Sequence, residues 1–413
     1  MNVKTIRFFS KKHLGSFNSF NKFTIINNFN YFNFSSNNNN SNNVANSNSN
    51  DYFLKNGIKI DENCNITDNI KDKLGRNIYL IKNHPLNILT NKMKKFFTET
   101  DLYDVKEFKI FENLSPVVST EECFKNLLVS EDHETLSNKN TFYVNKDNVL
   151  RTHMTTHDVS FLRKENNAFI SIGDVYRRDS VDITHYPVFH QLDGVRVFKN
   201  KSKEEVFEDL KQCLEKLIFS IVGKVQYKWV EAYFPFTDPS AELEIYYQDK
   251  WLEVLGCGVF RDGVLEKAGI NPLTNTAWAF GIGLERIAMT LFAIPDIRLF
   301  WTNDQRFLKQ FKEGQITKFK SFSKFPPCYK DFAFYINQNY NENDFHHLIR
   351  EICGDIAEDV KLIDDFTNKD GKRSHCYRVN FRSMERSLTN IEVNDLQSKI
   401  RNNIKENLKL DLK

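Results

Sequence analysis

Two adjacent arginines, Arg177 and Arg178, close a β-like run that begins at Gly173, and polar loop residues Asp182, Thr184 and His185 separate them from a second strand opening at Pro187. In that strand Phe189, Gln191 and Asp193 recur at spacing two, so one sheet face carries a ring, an amide and a carboxylate together. Such a face is poor as core and well suited to a polar ligand. Guanidinium matches phosphate best among side chains, because its planar fork binds two oxygens at once and keeps its charge. The same residues also suit a plain surface hairpin with solvated arginines. Further along, Ala277 to Leu291 (AWAFGIGLERIAMTL) passes from a glycine-punctuated strand into a helix with Leu284, Ile287, Ala288, Leu291 and Phe292 at helical spacing. Gly281 and Gly283 allow a ligand close to the backbone, and Arg286 falls in the first turn of the helix.

Taken together, YRRD, THYPVFHQLDG, FPFTDPS, EVLGCG and WAFGIGLER resemble class II aminoacyl-tRNA synthetases, the hairpin being their second signature motif and the strand–helix unit their third. The set is similar to phenylalanyl-tRNA synthetases, above all the single-chain mitochondrial form. The resemblance implies an α+β fold: a class II antiparallel sheet flanked by helices, followed by a C-terminal ferredoxin-like anticodon-binding domain. It places Arg177 on the α-phosphate of ATP, Arg286 on the γ-phosphate and Phe189 against adenine, with Thr184, His185 and Tyr186 along the nucleotide loop. Glu253 would help hold ATP through magnesium, which prefers one or two carboxylates plus phosphate oxygens. Thr155, Thr156, His157 and Asp158 would lie over the ammonium of phenylalanine, with Gln191, Leu192 and Asp193 beside it. Phe234 and Phe236 would wall the side-chain pocket and Ala279 would floor it, next to Phe280. The chain departs from the family at Thr155, where serine is usual, and at Asp158, where glutamine is usual. In the reaction so implied the amino acid carboxylate attacks the α-phosphorus, pyrophosphate leaves, and the acyl group passes to phenylalanine tRNA. No side chain becomes a nucleophile, so catalysis is positioning and charge neutralisation.

The elements that must position these residues are legible in outline. Residues 1–50 lack Asp and Glu, interleave Lys4, Arg7, Lys11, Lys12 and Lys22 with Ile6, Phe8, Phe9, Leu14 and Phe17, and then turn Asn-rich. This reads as a mitochondrial transit peptide and disordered leader, pointing to the matrix. Residues 51–318 are expected to form the catalytic domain and 319–413 the anticodon-binding domain. Apolar spacing predicts a helix over Pro85 to Phe97, then a strand over Phe108 to Phe111 and Leu114-Ser115-Pro116, similar to the first class II motif. Ser202 and Glu205 form a capping box that opens a core helix. Ala241 to Phe260 alternates as a hairpin, with Glu242, Glu244 and Tyr246 on one strand and Glu253, Leu255 and Cys257 on the return. The last stretch reads βαββα with a final strand at Lys409 to Lys413, a ferredoxin-like order. There Lys372, Arg373, Arg378, Arg382 and Arg386 are candidates for tRNA phosphates and Tyr329 for base stacking.

Net charge of +3 neither requires nor excludes RNA, and 40% hydrophobic content supports a sizeable core. Seven cysteines without a Cys-x-x-Cys pair suggest no zinc ribbon and no disulfide framework. His153 and His157, four apart, lack a third ligand at sensible spacing, so zinc is not expected. No apolar run is long enough to span a membrane, and the chain is expected to act as a monomer. The catalytic stretch runs straight into the C-terminal module, leaving no interval for an editing domain. Rejection of tyrosine then falls to an apolar pocket, which discriminates by about a hundredfold. The competing reading is a synthetase-like protein that has lost catalysis and serves as a tRNA-binding or regulatory component.

Overall fold

The computed structural model describes residues 51–99, 108–247, 249–321, 325–369 and 371–413. The basic, Asn-rich leader lies outside them. Alternation along the strands builds two faces of opposite character. Among the described residues the larger sheet has seven strands: β1 Lys109–Phe111, β4 Ala168–Tyr176, β5 Val188–Lys199, β6 Gln226–Glu231, β7 Thr237–Tyr247, β8 Lys250–Phe260 and β9 Asn275–Gly283. Two short strands, β2 Val117–Ser119 and β3 Asn148–Leu150, form a separate ribbon. The large sheet is ordered β1-β4-β5-β9-β8-β7-β6 and is antiparallel except for β1, which joins β4 in parallel.

One face is covered by three helices: α1 Pro85–Glu99, α3 Lys203–Val222 and α4 Leu284–Phe292 (α2, Asp158–Leu162, lies elsewhere). Leu192, Phe280, Ile282, Leu255 and Cys257 point into this helical layer and are buried with Met93, Phe97, Leu214 and Leu284. The predicted capping box at the head of α3 is complete: Ser202 Oγ accepts from Glu205 N at 3.2 Å and Glu205 Oε2 accepts from Ser202 N at 3.0 Å, an arrangement contributing about 1 kcal/mol. The opposite face, carrying Phe189, Gln191, Asp193, Gly256, Ala279 and Gly281, is covered in part: Val195 and Ala279 are buried with Val159, Leu162, Val264 and Leu265 of the short helices Asp158–Leu162 and Asp262–Lys267, while Phe189 and Gln191 are left half-exposed.

The C-terminal module contains β10 Cys328–Tyr335, α5 Glu342–Cys353, β11 Ala357–Thr367, β12 Arg373–Phe381 and α6 Asn390–Glu406, with sheet order β10-β12-β11. The expected last strand is reduced to one bridge between Leu412 and Phe334. Its joint with the catalytic core is specific. Val181, from the loop between β4 and β5, is buried within the module's own apolar cluster and is bonded to Val360 N and to His346 Nδ1. Arg298 donates to the carbonyls of Asp355 and Arg382 at 2.6 and 3.1 Å.

The arginines offered for tRNA phosphates already hold carboxylates: Arg378 with Asp331, Arg373 with Asp365, Arg386 with Glu392 and Arg382 with Glu358. Tyr329 is 57% exposed, but the Arg378 guanidinium lies 4.2 Å from its ring centre. No helix among the described residues is long and apolar enough to cross a membrane.

The helix-covered face is tight at Gly194, where a Cβ would come within 2.4 Å of the ring of its cross-strand partner Phe280. Gly194→Ala is expected to cost about 1–3 kcal/mol through overpacking and to lower the melting temperature by several degrees, read by circular dichroism. An unchanged melting temperature would mean that the Phe280 ring can move aside without loss of packing.

Candidate active site

Strand β4 delivers Arg177 to the partly covered face. Its backbone N–H donates to Pro187 O at 3.0 Å, its Nε to Thr152 O at 2.8 Å, and its guanidinium lies 5.1 Å from the Phe189 ring centre. The side chain is open to solvent although protein surrounds it, the setting of a group at the bottom of a recess. Arg178 turns away, donating to Asn138 O at 2.6 Å.

Arg286 comes from the first turn of α4, whose N-cap is Gly283, and its Nη1 lies 3.9 Å from Glu253 Oε2. Burial lowers the affinity of Arg177 for its proton, while the charges of Asp179, Asp193, Cys123 and Glu253 act in the opposite sense. Phe189, beside Arg177, is two residues along β5 from Gln191, the cross-strand partner of Gly283 at the head of the helix that carries Arg286, so both arginines stand at the same end of β5. The loop closes on Asp182, whose Oδ1 accepts from Thr184 N at 2.6 Å and His185 N at 2.9 Å. His185 Nδ1 lies 2.6 Å from Asp182 Oδ2, and this bond raises the imidazole pKa while Arg286 opposes the rise.

The position of Glu253 departs from simple alternation. Leu243 pairs with Leu255 but Glu244 pairs with Glu253, so Val254 is an extra residue in β8. Val254 and Leu255 are both buried in the helical layer, and the bulge turns Glu253 to the face of Glu242 and Glu244 instead of that of Leu255 and Cys257. Burial raises the pKa of Glu242, with Glu253 and Glu244 adding to it. Lys228 takes Glu244 at 2.7 Å.

A second cluster lies next to Arg177. A 3-10 turn, Met154–His157, runs into α2 and brings Thr155, Thr156, His157 and Asp158 over β5. Thr155 Oγ1 donates to Asp193 Oδ2 at 2.7 Å, and Met154 N donates to Gln191 Oε1 at 3.2 Å. Asp158 and Asp193 are 1% and 2% exposed. Both oxygens of Asp158, Asp193 Oδ1, Thr156 Oγ1 and His153 Nδ1 are buried without a hydrogen-bond partner.

Burial pushes Asp193 up to about 7, against the Thr155 bond and Arg177, and pushes Asp158 well above the usual carboxylate range, with Asp193 adding to the effect. Burial holds His153 down to about 3, with Arg177 adding, and His157 well below its ordinary value, with Arg151 and His153 adding. Arg151 Nη1 lies 3.1 Å from His157 Nε2, so the proton of the neutral ring is on Nδ1. Buried acceptors left empty are costly, and a ligand that brings several N–H donors and a positive charge removes that cost.

Beside these acceptors stand two rings. Phe234 and Phe236 are nearly parallel, 6.1 Å apart at 17°, and Phe236 is 6.2 Å from His153. Phe236 packs against the apolar cluster that contains Ala279 and Val195. A Cβ at Gly256 would approach the Phe234 ring to 2.7 Å, and one at Gly281 would approach Asp193 Oδ1 to 3.1 Å, so glycine keeps both positions open.

Three residues expected here lie elsewhere. Leu192 and Phe280 sit at the other parity of β5 and β9 and are core residues of the helical layer. Tyr186 is 1% exposed, stacks on Trp301, and donates its hydroxyl to Asp355 Oδ1 at 2.7 Å in the joint with the C-terminal module.

Sequence reasoning missed the supports. Glu285, next to Arg286, accepts from His190 N at 2.9 Å and pairs with His190 Nδ1 at 2.6 Å, both side chains being buried. A histidine between Val188 and Leu192 at the core parity of β5 was the available signal. Arg151 is fully buried, paired with Asp174 and donating to Ser115 O at 2.9 Å. His157 Nε2 is committed to Arg151, and among the described residues no three His, Cys, Asp or Glu side chains gather as metal ligands.

Comparison with known proteins meets this geometry from the other side. Residues 67–311 match the class II core domain (F) of tRNA synthetases, and residues 323–413 match the ferredoxin-fold anticodon binding domain. The chain is 49% identical to the chloroplastic/mitochondrial phenylalanine–tRNA ligase of Arabidopsis thaliana, over 86% of this chain and 83% of that one. It is 42% identical to the mitochondrial enzyme of Dictyostelium discoideum, over 86% and 90% of the two chains, and 39% identical to that of Mus musculus, over 82% and 84%. With a class II core, a fused anticodon-binding module and identity of this extent over most of both lengths, the chain belongs to the phenylalanine–tRNA ligase family.

Proposed function

We propose that this protein activates phenylalanine with ATP and transfers it to phenylalanine tRNA at the cleft between Arg177 and Arg286. The observation that carries this is the placement of two arginines at one end of β5, with a cluster of buried, unpartnered acceptors on the same strand. The first suits a polyphosphate and the second an ammonium. Arg177, stacked with Phe189, would sit on the α-phosphate and Arg286 on the γ-phosphate, with adenine against Phe189 and the Thr184–His185 loop over the nucleotide. The ammonium would enter among Thr155, Thr156, Asp158 and Asp193, bordered by His157, whose Nε2 is taken by Arg151 and which offers it no acceptor, and the phenyl ring between Phe234, Phe236 and Ala279.

A carboxylate oxygen of phenylalanine attacks the α-phosphorus, a C–O–P anhydride forms, and the bond to the β-phosphate breaks as pyrophosphate leaves. The tRNA terminal hydroxyl then attacks the acyl carbon and AMP departs. The chain's part is to hold the reactants in line and to neutralise charge as it develops.

Glu242, Glu244 and Glu253 crowd one face with Arg286 and Lys228 as their cations, a setting that fits magnesium bound together with ATP. Glu253 and Glu242 would hold the ion, which supplies further neutralisation of the phosphates. The named relatives and the acid-free leader support a mitochondrial protein acting in the matrix. The fused anticodon module supports a self-sufficient monomer.

Labelled pyrophosphate should enter ATP only when phenylalanine is present, and Arg177→Ala should slow that exchange by about 10²–10³-fold. No exchange with any amino acid would favour a tRNA-binding protein without catalysis.

The KM for phenylalanine should be flat above pH 7 and rise as pH falls below it, approaching tenfold per unit. Asp193 must be ionised to meet the ammonium, its empty-state value is about 7, and the ligand's charge lowers it, so protons compete with substrate on the acid side. His153 and His157 stay neutral across this range and Arg177 stays charged; His185 titrates on the nucleotide side, so its effect falls on the KM for ATP. A KM for phenylalanine independent of pH between 5.5 and 8 would remove Asp193 from this role.

Tyrosine should be activated with a kcat/KM about a hundredfold below that of phenylalanine, and Phe236→Ala should narrow the gap. A ratio unmoved by that variant would unseat the pocket.

A further inference from the structure

We propose that Asp158 works as a neutral carboxylic acid, its O–H donating and its C=O accepting as an amide would, and that Asp193 alone is the counter-charge of the bound ammonium. The inference rests on the ammonium pocket proposed above and names the form in which its unusual residue acts.

The geometry leaves an ionised Asp158 no support. The side chain is 1% exposed and neither oxygen receives a donor. The charge that acts on it is a like one, that of Asp193, which holds Thr155 at 2.7 Å and lies within the field of Arg177. Arg151 is spent on Asp174, on main-chain carbonyls and on His157. His153 and His157, which flank the turn, are neutral and bring no charge.

A single ammonium compensates one carboxylate. A second ionised carboxylate, 1% exposed and with no donor on either oxygen, would leave its negative charge uncompensated. Burial reinforced by the charge of Asp193 shifts Asp158 in the same direction. A protonated carboxyl offers one donor and one acceptor, and Thr156 Oγ1 and Asp193 Oδ1 are unpartnered atoms in the same cluster. The family resemblance puts a glutamine at this position, and the protonated acid supplies the same neutral pair of hydrogen-bonding atoms on a shorter stem.

The test is calorimetry of phenylalanine binding to the full chain near pH 7, in buffers of different ionisation enthalpy, which counts protons exchanged. Parent, Asp158→Asn and Asp158→Gln should exchange the same number, because only Asp193 changes its protonation. Asp158→Ala should weaken binding by about tenfold, the loss of one hydrogen-bonding pair, and Asp158→Asn should recover most of it. Release of about one proton more by the parent than by Asp158→Asn, with no recovery of affinity in that variant, would show an ionised Asp158 and overturn the proposal. If the Asn variant does not fold, the Gln variant carries the same comparison. Failure of the parent to bind phenylalanine would instead overturn the pocket itself and this inference with it.

Discussion

Glu285 fastens helix α4 to strand β5. Its carboxylate accepts from the backbone N–H of His190 and pairs with that residue's ring, and both side chains are buried. His190 stacks in turn on Trp301, 5.7 Å away. Because His190 stands between Phe189 and Gln191 and Glu285 stands beside Arg286, this contact sets the distance between the ring on the sheet and the guanidinium on the helix. A buried carboxylate whose partner is lost costs about 3–5 kcal/mol, so the two elements have little freedom to drift apart. Two pieces of the site from distant parts of the chain are thereby held as one.

The two faces of the large sheet divide labour. The helix-covered face carries the stability, with Phe280 filling the space over Gly194 and Leu192 and Ile282 beside it. The partly covered face carries small residues and unfilled polar atoms at the positions where matter would otherwise pack: Gly256 below Phe234, Gly281 below Asp193, and the carboxyls of Asp158 and Asp193 without enough donors. Such a face is costly to the empty protein and is preorganised for a cationic, hydrogen-bonding ligand. The Val254 bulge extends the same logic, spending one extra buried residue to bring Glu253 round to Arg286.

The loop between β4 and β5 serves two masters. Asp182, Thr184 and His185 are bonded to one another in a tight turn, while Val181 and Tyr186, on either side of it, are buried against the C-terminal module. Arg350 of the module donates to Ser180 O at 3.0 Å and to His185 O at 3.3 Å. The shape of this loop is therefore set partly by a domain that lies outside the large sheet.

Local pattern in the chain was enough for the helices, the period-two strand with Phe189, Gln191 and Asp193, the capping box at Ser202 and the ferredoxin-like order, because each depends on neighbours within a few residues. The motif words were enough to group Arg177 and Arg286, which the sheet register sets at the same end of β5. Parity in β5 and β9 already separated Leu192 and Phe280 from the site, since a strand shows alternate residues to opposite faces, but their adjacency to motif residues drew them in. Only tertiary structure decided the rest. The bulge that turns Glu253 depends on the register between β7 and β8, the removal of Tyr186 to the module joint depends on Asp355 from another domain, and the crowding of Asp158 with Asp193 depends on a turn folding over a strand. Burial and like-charge proximity are properties of space, and a linear string carries them only after it has closed on itself.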